Sequence, residues 1–146
     1  MGTIRGMKEN VQRFNYDLAV RETLEETADR VPDYTREQLH RGEKVDGSKL
    51  TPLYGNPDYS KIKFAQNSAA GLGVPDLYLY GDFYNGIQTK INTKTISTFS
   101  IDSKAPKLEL KYSPLIYGLN AANKTKYALV DVKPVLLAKV KSGIFG

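Results

Sequence analysis

Hydrophobic residues recur every three or four positions near the start of the chain, which is the spacing of one face of an α-helix. Within residues 8–31 this stripe consists of Val11, Phe14, Leu18, Leu24, Ala28 and Val31. The sequence therefore predicts a long N-terminal helix over this range. Pro32 is expected to break or kink it, because proline lacks a backbone N–H and its ring clashes with the preceding turn.

Short capping and turn signals follow the predicted helix. Thr35 and Gln38 have the spacing of a capping box, with Thr35 as the N-cap and Gln38 reaching back to it. This pattern predicts a second helical segment that stops at Gly42. Asp46 and Gly47 then form a two-residue hairpin signal between short flanks.

Residues 51–76 are rich in residues that interrupt regular structure. They hold three of the seven prolines and three of the twelve glycines of the chain. The composition predicts an irregular loop, with one helical turn at about residues 62–66. A loop of this length is usually functional or becomes ordered on contact with a partner.

From Leu77 onward the hydrophobic period changes to two, which is typical of β-strands. Turn signals at 92–95 and 102–106 separate the alternating runs. The pattern predicts an antiparallel meander of three or four strands. Its predicted strand faces carry Leu77 and Leu79, then Ile87, Thr89 and Ile91, then Phe99 and Ile101, and finally Leu108, Leu110 and Tyr112.

The C-terminal part returns to a helical pattern. Asn120 is a plausible N-cap, and Pro134 is expected to divide the helix into two pieces that end near residues 142–143. The predicted stripe consists of Tyr127, Val130, Pro134, Leu137 and Lys141. The whole pattern predicts an α+β fold in one domain, residues 1–146, with a long N-terminal helix, a small antiparallel sheet of three to four strands, and a C-terminal helix packed on the sheet.

Charge is distributed unevenly along the chain, whose net charge is +5. Residues 1–50 carry nine Lys or Arg against ten Asp or Glu, whereas residues 51–146 carry twelve against six. All twelve of these later positive residues are lysines, which act as point charges and do not read bases as arginine does. The lysine-rich half indicates contact with an acidic surface such as a phosphate backbone. A solvated surface explains it equally well.

Residue types that carry catalysis are scarce. The chain has no cysteine, and its one histidine, His40, is expected to be exposed at a helix end. No nucleophile or phosphate-binding motif occurs. The sequence therefore predicts no enzyme, no catalytic residue, no cofactor and no metal site. No apolar run is long enough to span a bilayer, so no membrane partner is expected.

The chain contains ten tyrosines, a large number for its length. Exposed tyrosines provide a stacking surface for sugar or nucleic acid. Packing in the core or between subunits is the commoner use of such rings. The sequence leaves both uses open.

Residues 80–87, YGDFYNGI, are compatible with two local structures. Their Asn-Gly pair is a hairpin signal. Alternatively, Asp82 begins a single helical turn, so that Phe83 and Ile87 lie four apart on one apolar face and the chain then enters a strand. In this second form we expect Phe83 and Ile87 to be buried together.

The helical form resembles a pattern in the tail-completion, or neck, proteins of tailed bacteriophages. That pattern is a glycine, a bulky apolar residue two positions later, then a small residue and an isoleucine that lead into a strand. The matching positions are Gly81, Phe83, Gly86 and Ile87. Gly86 departs from the family, which usually has serine there. Residues 36–55, 73–87 and 116–124 also resemble, in the same order, segments of phage and prophage proteins of this broad group.

The resemblance implies a non-enzymatic virion component at the joint between head and tail, made in the cytoplasm of the host bacterium. Such proteins work as rings of copies of themselves, between a portal or adaptor protein and the tail proteins. In such a ring the lysines would make non-specific contact with passing DNA. Two alternatives remain: a non-specific nucleic-acid-binding protein of a phage or mobile element, and a carbohydrate-binding virion module that uses its tyrosines.

Overall fold

A computed structural model describes residues 4–145 as a mixed α+β fold. Its first half is helical, with α1 (Ile4–Arg13), α2 (Tyr16–Thr27), α3 (Arg30–His40), α4 (Pro57–Gln66) and the single turn α5 (Asp82–Asn85). Two strands follow, β1 (Ile87–Asn92) and β2 (Thr95–Ser100). The rest is helical again: α6 (Ala105–Tyr112), a 3₁₀ turn (Pro114–Ile116), α7 (Ala121–Lys126), a π-helical segment (Tyr127–Val132) and α8 (Lys133–Phe145).

The predicted single N-terminal helix is wrong, because the chain forms three helices over this region. Asn15 interrupts it by capping α2, and its side chain accepts a hydrogen bond from the Leu18 backbone N–H at 3.0 Å. Pro32 lies within the first turn of α3. The backbone N–H groups of a first helical turn have no partner within the helix, so the missing N–H of proline costs little there.

The predicted capping box is also wrong, because Thr35 and Gln38 are buried in the middle of α3. Both side chains donate to the Gly118 carbonyl, at 3.0 and 2.9 Å. The Gln38 side-chain oxygen accepts from the Asn120 backbone N–H at 2.8 Å and from the Asn123 amide at 2.7 Å. These polar side chains therefore fasten α3 to the start of α7. The prediction of Asn120 as an N-cap is confirmed.

The predicted helix stop and the hairpin turn after it are confirmed. Helix α3 ends at His40, and Gly42 follows with a φ of +68°. Gly47 has a φ of +82° in the turn that brings Glu43 and Lys49 into an isolated antiparallel bridge. Glycine adopts this left-handed backbone without the steric cost that other residues meet.

The sheet has two antiparallel strands, in a register that pairs Ile87 with Ser100 and Ile91 with Ile96. The turn predicted at 92–95 is confirmed. The prediction of three or four strands is wrong, because residues 77–80 form no strand and residues 108–112 lie in α6.

The hydrophobic residues at 108, 110 and 112 alternate as in a strand, but they lie in helix α6. Ala105 and Tyr112 are buried and Leu108 packs against the same core, at spacings of three and four. Leu110, the middle residue of the apparent strand, is 89% exposed. A short run with period two also fits one face of a helix if its middle residue points outward.

The C-terminal helix is nearly continuous. Its two α-helical pieces are joined by the π-helical segment, which ends just before Pro134, where the missing N–H prevents a regular α-helical turn. The predicted division at Pro134 is wrong, because the helical run from Ala121 to Phe145 is unbroken and Pro134 lies in the first turn of α8. The helix also continues past its predicted end.

Helix α8 packs mainly against α1 and α2, so its predicted packing on the sheet is wrong. The Asn10 side chain donates to the Ile144 carbonyl at 2.8 Å. The Phe14 ring lies directly over Gly143, where it occupies the space that a Cβ atom would fill.

Two buried clusters form the core. The larger lies between α3, the sheet and α6 and consists of Leu39, Leu50, Phe83, Tyr84, Ile87, Ala105, Tyr112 and Ile116. The smaller joins α3 to the π-helical segment and consists of Val31, Tyr34, Leu119 and Tyr127. Residues 51–76 are less irregular than predicted, because α4 takes up ten of them after an N-cap at Asn56.

Candidate functional site

Residues 80–87 adopt the helical alternative. Gly81, with a φ of +86°, precedes the turn α5, and β1 begins at Ile87. Phe83 and Ile87 are 4% and 2% exposed and lie in the larger core cluster, so their predicted burial is confirmed. Both side chains therefore pack in the core of this fold.

Gly86 lies where two backbone segments approach closely. Its carbonyl accepts from the Ile101 N–H at 3.0 Å. A Cβ atom at this position would lie 2.7 Å from the Ser100 hydroxyl oxygen and 2.9 Å from the Asp102 backbone nitrogen. The serine that is usual here in neck proteins would require these neighbours to move.

Beside this segment lies a cleft of about 200 Å³. Its walls come from the loop before α4, from α4, from the loop before α5 and from α6. We call it the tyrosine cleft and define it by Tyr54, Tyr59, Tyr78, Tyr80, Asp82 and Lys104.

The rings in the tyrosine cleft are arranged edge to face. Tyr54 and Tyr59 have centroids 4.9 Å apart with planes at 81°, and Tyr78 meets the buried Tyr84 at 5.2 Å and 79°. Tyr80 is 78% exposed, and Tyr59 and Tyr78 are also exposed. These three rings can receive a further flat or apolar group. Four other tyrosines are buried, namely Tyr34, Tyr84, Tyr112 and Tyr127.

A buried polar network around Asp76 holds one wall of the cleft. The Lys63 ammonium lies 2.9 Å from the Asp76 carboxylate, which also accepts from the Tyr78 N–H at 3.1 Å and from the Asn67 amide at 3.0 Å. The Tyr84 hydroxyl donates to the Asp76 carbonyl. Burial, and then the nearby Asp76 charge, raise the pKa of Tyr84. This network could not be predicted from the sequence, because Lys63, Asn67 and Asp76 lie in a region that was predicted to be mostly loop.

A row of lysines runs along α6 beside the cleft. Lys104, Lys107 and Lys111 are spaced by three and four and therefore share one helix face. The Lys104 ammonium lies 3.7 Å from the Asp82 carboxylate, and the Lys111 ammonium lies 5.3 Å from the centroid of the Tyr112 ring. The row could not be predicted from the sequence, because the pattern placed Lys104 in a turn at 102–106 and the residues around Leu108 in a strand.

A second opening, the helix groove, lies between α1, α2 and α8 and measures about 890 Å³. Phe14, Leu18, Val135 and Ala138 contribute apolar surface to it. At its edge the Lys139 ammonium lies between two carboxylates of α2, 3.6 Å from Glu22 and 2.5 Å from Glu26. The groove is mainly apolar with charges at its edge.

The one histidine of the chain lines neither opening. His40 is exposed at the end of α3, as predicted, and its backbone carbonyl accepts from the Asn67 amide at 2.6 Å. Within residues 4–145, no three His, Asp or Glu side chains cluster as a metal site requires. Over the same range, no helix has the length and apolar character needed to cross a bilayer.

In comparisons with known proteins, no family model matches the chain, and no curated protein or solved structure is significantly similar to it. The resemblance to neck proteins thus depends on the short sequence segments alone. Of its four pattern positions, Phe83 and Ile87 lie in the core, while Gly81 and Gly86 flank the turn α5.

Proposed function

We propose that this protein is a structural component of a tailed-phage virion, a member of the ring that joins the portal or its adaptor to the tail. The sequence segments that resemble neck proteins, and that occur in the same order as in that family, suggest this role. The single structural observation that carries it is a row of exposed apolar side chains along the C-terminal helix, Leu129, Val130 and Leu137. Monomeric soluble proteins rarely expose extended apolar patches, and such patches mark assembly surfaces.

The uncovered surface lies along the C-terminal helix. None of the described residues of α8 is buried. Leu129, Val130 and Leu137 are 56%, 60% and 44% exposed. Lys133 lies four residues before Leu137 and Lys141 lies four residues after it, so Lys133, Leu137 and Lys141 share one face of α8. We call this face the outer face. The outer face is an apolar residue between two cations.

The helix groove supplies a complementary surface on another side of the same chain. It is apolar, and Glu22 and Glu26 stand at its edge. A heterologous contact, in which the outer face of one copy enters the groove of the next, would bury leucine against apolar side chains. It would also bring Lys133 and Lys141 near Glu22 and Glu26, whose two negative charges are only partly balanced by Lys139 of their own chain. Repetition of one such contact closes a ring when the rotation between copies permits it.

The lysine surplus suits a ring through which DNA passes. Among residues 4–145, eight of the twelve lysines after residue 50 have no carboxylate within 4 Å, namely Lys61, Lys90, Lys107, Lys111, Lys124, Lys126, Lys133 and Lys141. Unpaired lysines attract phosphates without recognising sequence. The same surplus is the observation that favours the second candidate, a non-specific nucleic-acid-binding protein.

The assembly proposal is tested by measuring oligomeric state against concentration with light scattering and electron microscopy, with and without a portal partner. We expect rings, and we expect Leu137→Glu to prevent them. Leu110→Glu is the matched control, because Leu110 is 89% exposed on α6 and lies outside both surfaces. A protein that stays monomeric under all these conditions would contradict the proposal. Rings that survive Leu137→Glu would exclude the outer face as the contact.

Binding to a short DNA duplex at two salt concentrations separates the two candidate functions. A ring subunit supplies only part of the positive field, so the monomer should bind weakly. A dedicated binder would hold duplex DNA with a Kd of about 1 µM or tighter, and this affinity would fall steeply as salt rises. Tight, salt-sensitive duplex binding by a monomer would therefore replace the neck assignment with the second candidate.

A further inference from the structure

The tyrosine cleft combines two features on one surface. Tyr59, Tyr78 and Tyr80 expose aromatic rings at its rim, and Lys104 of the α6 row lines its wall. Lys107 and Lys111 extend the positive charge along the helix from that wall. Exposed aromatic rings beside a row of cations form the combination that single-stranded nucleic acids bind.

We propose that the tyrosine cleft binds single-stranded nucleic acid, with an unpaired base stacked on Tyr80 or Tyr78 and the phosphates along Lys104, Lys107 and Lys111. This proposal does not depend on ring assembly, because every residue it uses belongs to one chain. The lysines act as point charges and the tyrosines accept any base, so binding should show little sequence preference.

The exposed faces of the tyrosine rings are expected to give the cleft a preference for single-stranded over double-stranded nucleic acid. Tyr80 is 78% exposed and projects from the loop before α5, so a flat group can reach its face. In a duplex the base faces are covered by their neighbours, whereas a single strand can turn one base out. Lysine charge alone would attract both forms. A preference for the single strand would thus report the stacking contribution.

The cleft is also fixed in shape before anything binds. The Asp76 carboxylate holds the Tyr78 N–H and the Lys63 ammonium, and the Tyr78 carbonyl accepts from that ammonium at 2.5 Å. On the other side Tyr54 supports Tyr59 edge to face. A wall that is already ordered loses less conformational freedom when a ligand arrives.

Asp82 distinguishes nucleic acid from the other ligand that uses aromatic platforms, a sugar. It is the one acidic side chain among the residues that line the cleft, and it is 62% exposed beside Lys104. A carboxylate repels phosphates but accepts hydrogen bonds from sugar hydroxyls. If the ligand is nucleic acid, Asp82→Asn should strengthen binding. If it is a neutral saccharide, the same change should weaken it.

The test is fluorescence anisotropy of labelled oligothymidylate, at protein concentrations where light scattering shows a monomer. We expect Tyr80→Ala to weaken binding by a factor of about five or more, the size of one lost stacking contact. Tyr16→Ala is the control for tyrosine loss, because Tyr16 is 47% exposed at the start of α2. The pair Lys107→Gln and Lys111→Gln should weaken binding more than the pair Lys124→Gln and Lys133→Gln, which removes equal charge elsewhere.

Three outcomes would overturn the proposal. In the first, Tyr80→Ala and Tyr16→Ala bind equally well, which leaves no role for stacking in the cleft. In the second, a duplex of the same length binds as tightly as the single strand. In the third, neutral hexoses shift the amide resonances of cleft residues in an NMR titration and Asp82→Asn abolishes the shift, which would identify a saccharide site. All of these readouts are independent of whether the protein forms rings.

Discussion

The Lys63 ammonium lies 2.9 Å from an Asp76 carboxylate oxygen, and both side chains are more than nine-tenths buried. The pair joins α4 to the loop that precedes α5. Asp76 also accepts from the Tyr78 N–H and the Asn67 amide, so the carboxylate has three donors. An ion pair that is buried and hydrogen-bonded in this way fixes the position of the loop.

Lys63→Met should destabilise the protein by about 3–5 kcal/mol, because it leaves the Asp76 carboxylate buried without its cation. The measurement is the free energy of unfolding from urea titration. The matched control is Lys94→Met. This change breaks the exposed Lys94–Asp17 pair, 2.8 Å long, and should cost less than about 1 kcal/mol. Equal costs for the two variants would show that the buried pair has no special role.

Phe83→Ala should lower the free energy of unfolding by about 3–5 kcal/mol, since it removes a ring that is 4% exposed in the larger core cluster. Leu110→Ala is the control, because Leu110 is also a large apolar residue but is 89% exposed. Its removal should change stability by less than about 0.5 kcal/mol. If Phe83→Ala leaves stability unchanged, the assignment of this ring to the core is wrong.

Gly86→Ser should destabilise the protein by about 1–3 kcal/mol, because its Cβ would lie 2.9 Å from the Asp102 backbone nitrogen. Backbone cannot move aside as a flexible side chain can. Gly55→Ser is the control, since a Cβ there meets nothing within 4 Å. Thermal unfolding of both variants tests this. A Gly86→Ser protein as stable as the wild type would show that this turn accepts the serine of the neck-protein pattern.

The features that could be predicted from the sequence depend on neighbours along the chain. The helix stop at Gly42, the turn after Asp46, the hairpin of β1 and β2 and the N-cap at Asn120 are all confirmed. Each depends on two to four consecutive residues whose backbone preference is strong. The helical turn at Asp82 was one of two open alternatives, and burial of Phe83 selects it.

The wrong secondary-structure predictions have two causes. Either the local pattern fits both a strand and a helix, or the structure depends on contacts between residues that are far apart in the sequence. Five residues of alternation ending at Tyr112 fit a strand as well as they fit a helix with Leu110 outside, and packing of Leu108 against the core chooses the helix. Gln38 has capping-box spacing, yet its partner Asn120 lies 82 positions away. No local rule identifies such a contact.

The tyrosine cleft could not be predicted from the sequence. Its residues come from three stretches, 54–59, 75–83 and 104–112, and their meeting depends on α6 being a helix and on the Lys63–Asp76 pair. The tyrosine content and the lysine surplus were visible in the sequence. Their location in one cleft was not.

Tyr84 should make the protein less stable at alkaline pH. Burial raises the pKa of its hydroxyl above the ordinary value, and the Asp76 charge adds to this. Above about pH 10 the unfolded chain loses this proton while the native chain keeps it. The native state then binds more protons, so the free energy of unfolding falls as pH rises, by up to about 1.4 kcal/mol per pH unit for this one group.

Urea titrations between about pH 9 and about pH 11 test this, because the range spans the ordinary tyrosine pKa. Tyr84→Phe should be less stable than the wild type at neutral pH by about 1 kcal/mol, since the Asp76 carbonyl loses its donor. The same variant should lose stability less steeply as pH rises, because the titrating hydroxyl is gone. Tyr80→Phe, which removes a hydroxyl from a ring that is 78% exposed, is the control and should follow the wild-type curve. Parallel curves for Tyr84→Phe and the wild type would contradict the prediction, because they would assign the alkaline loss to other groups.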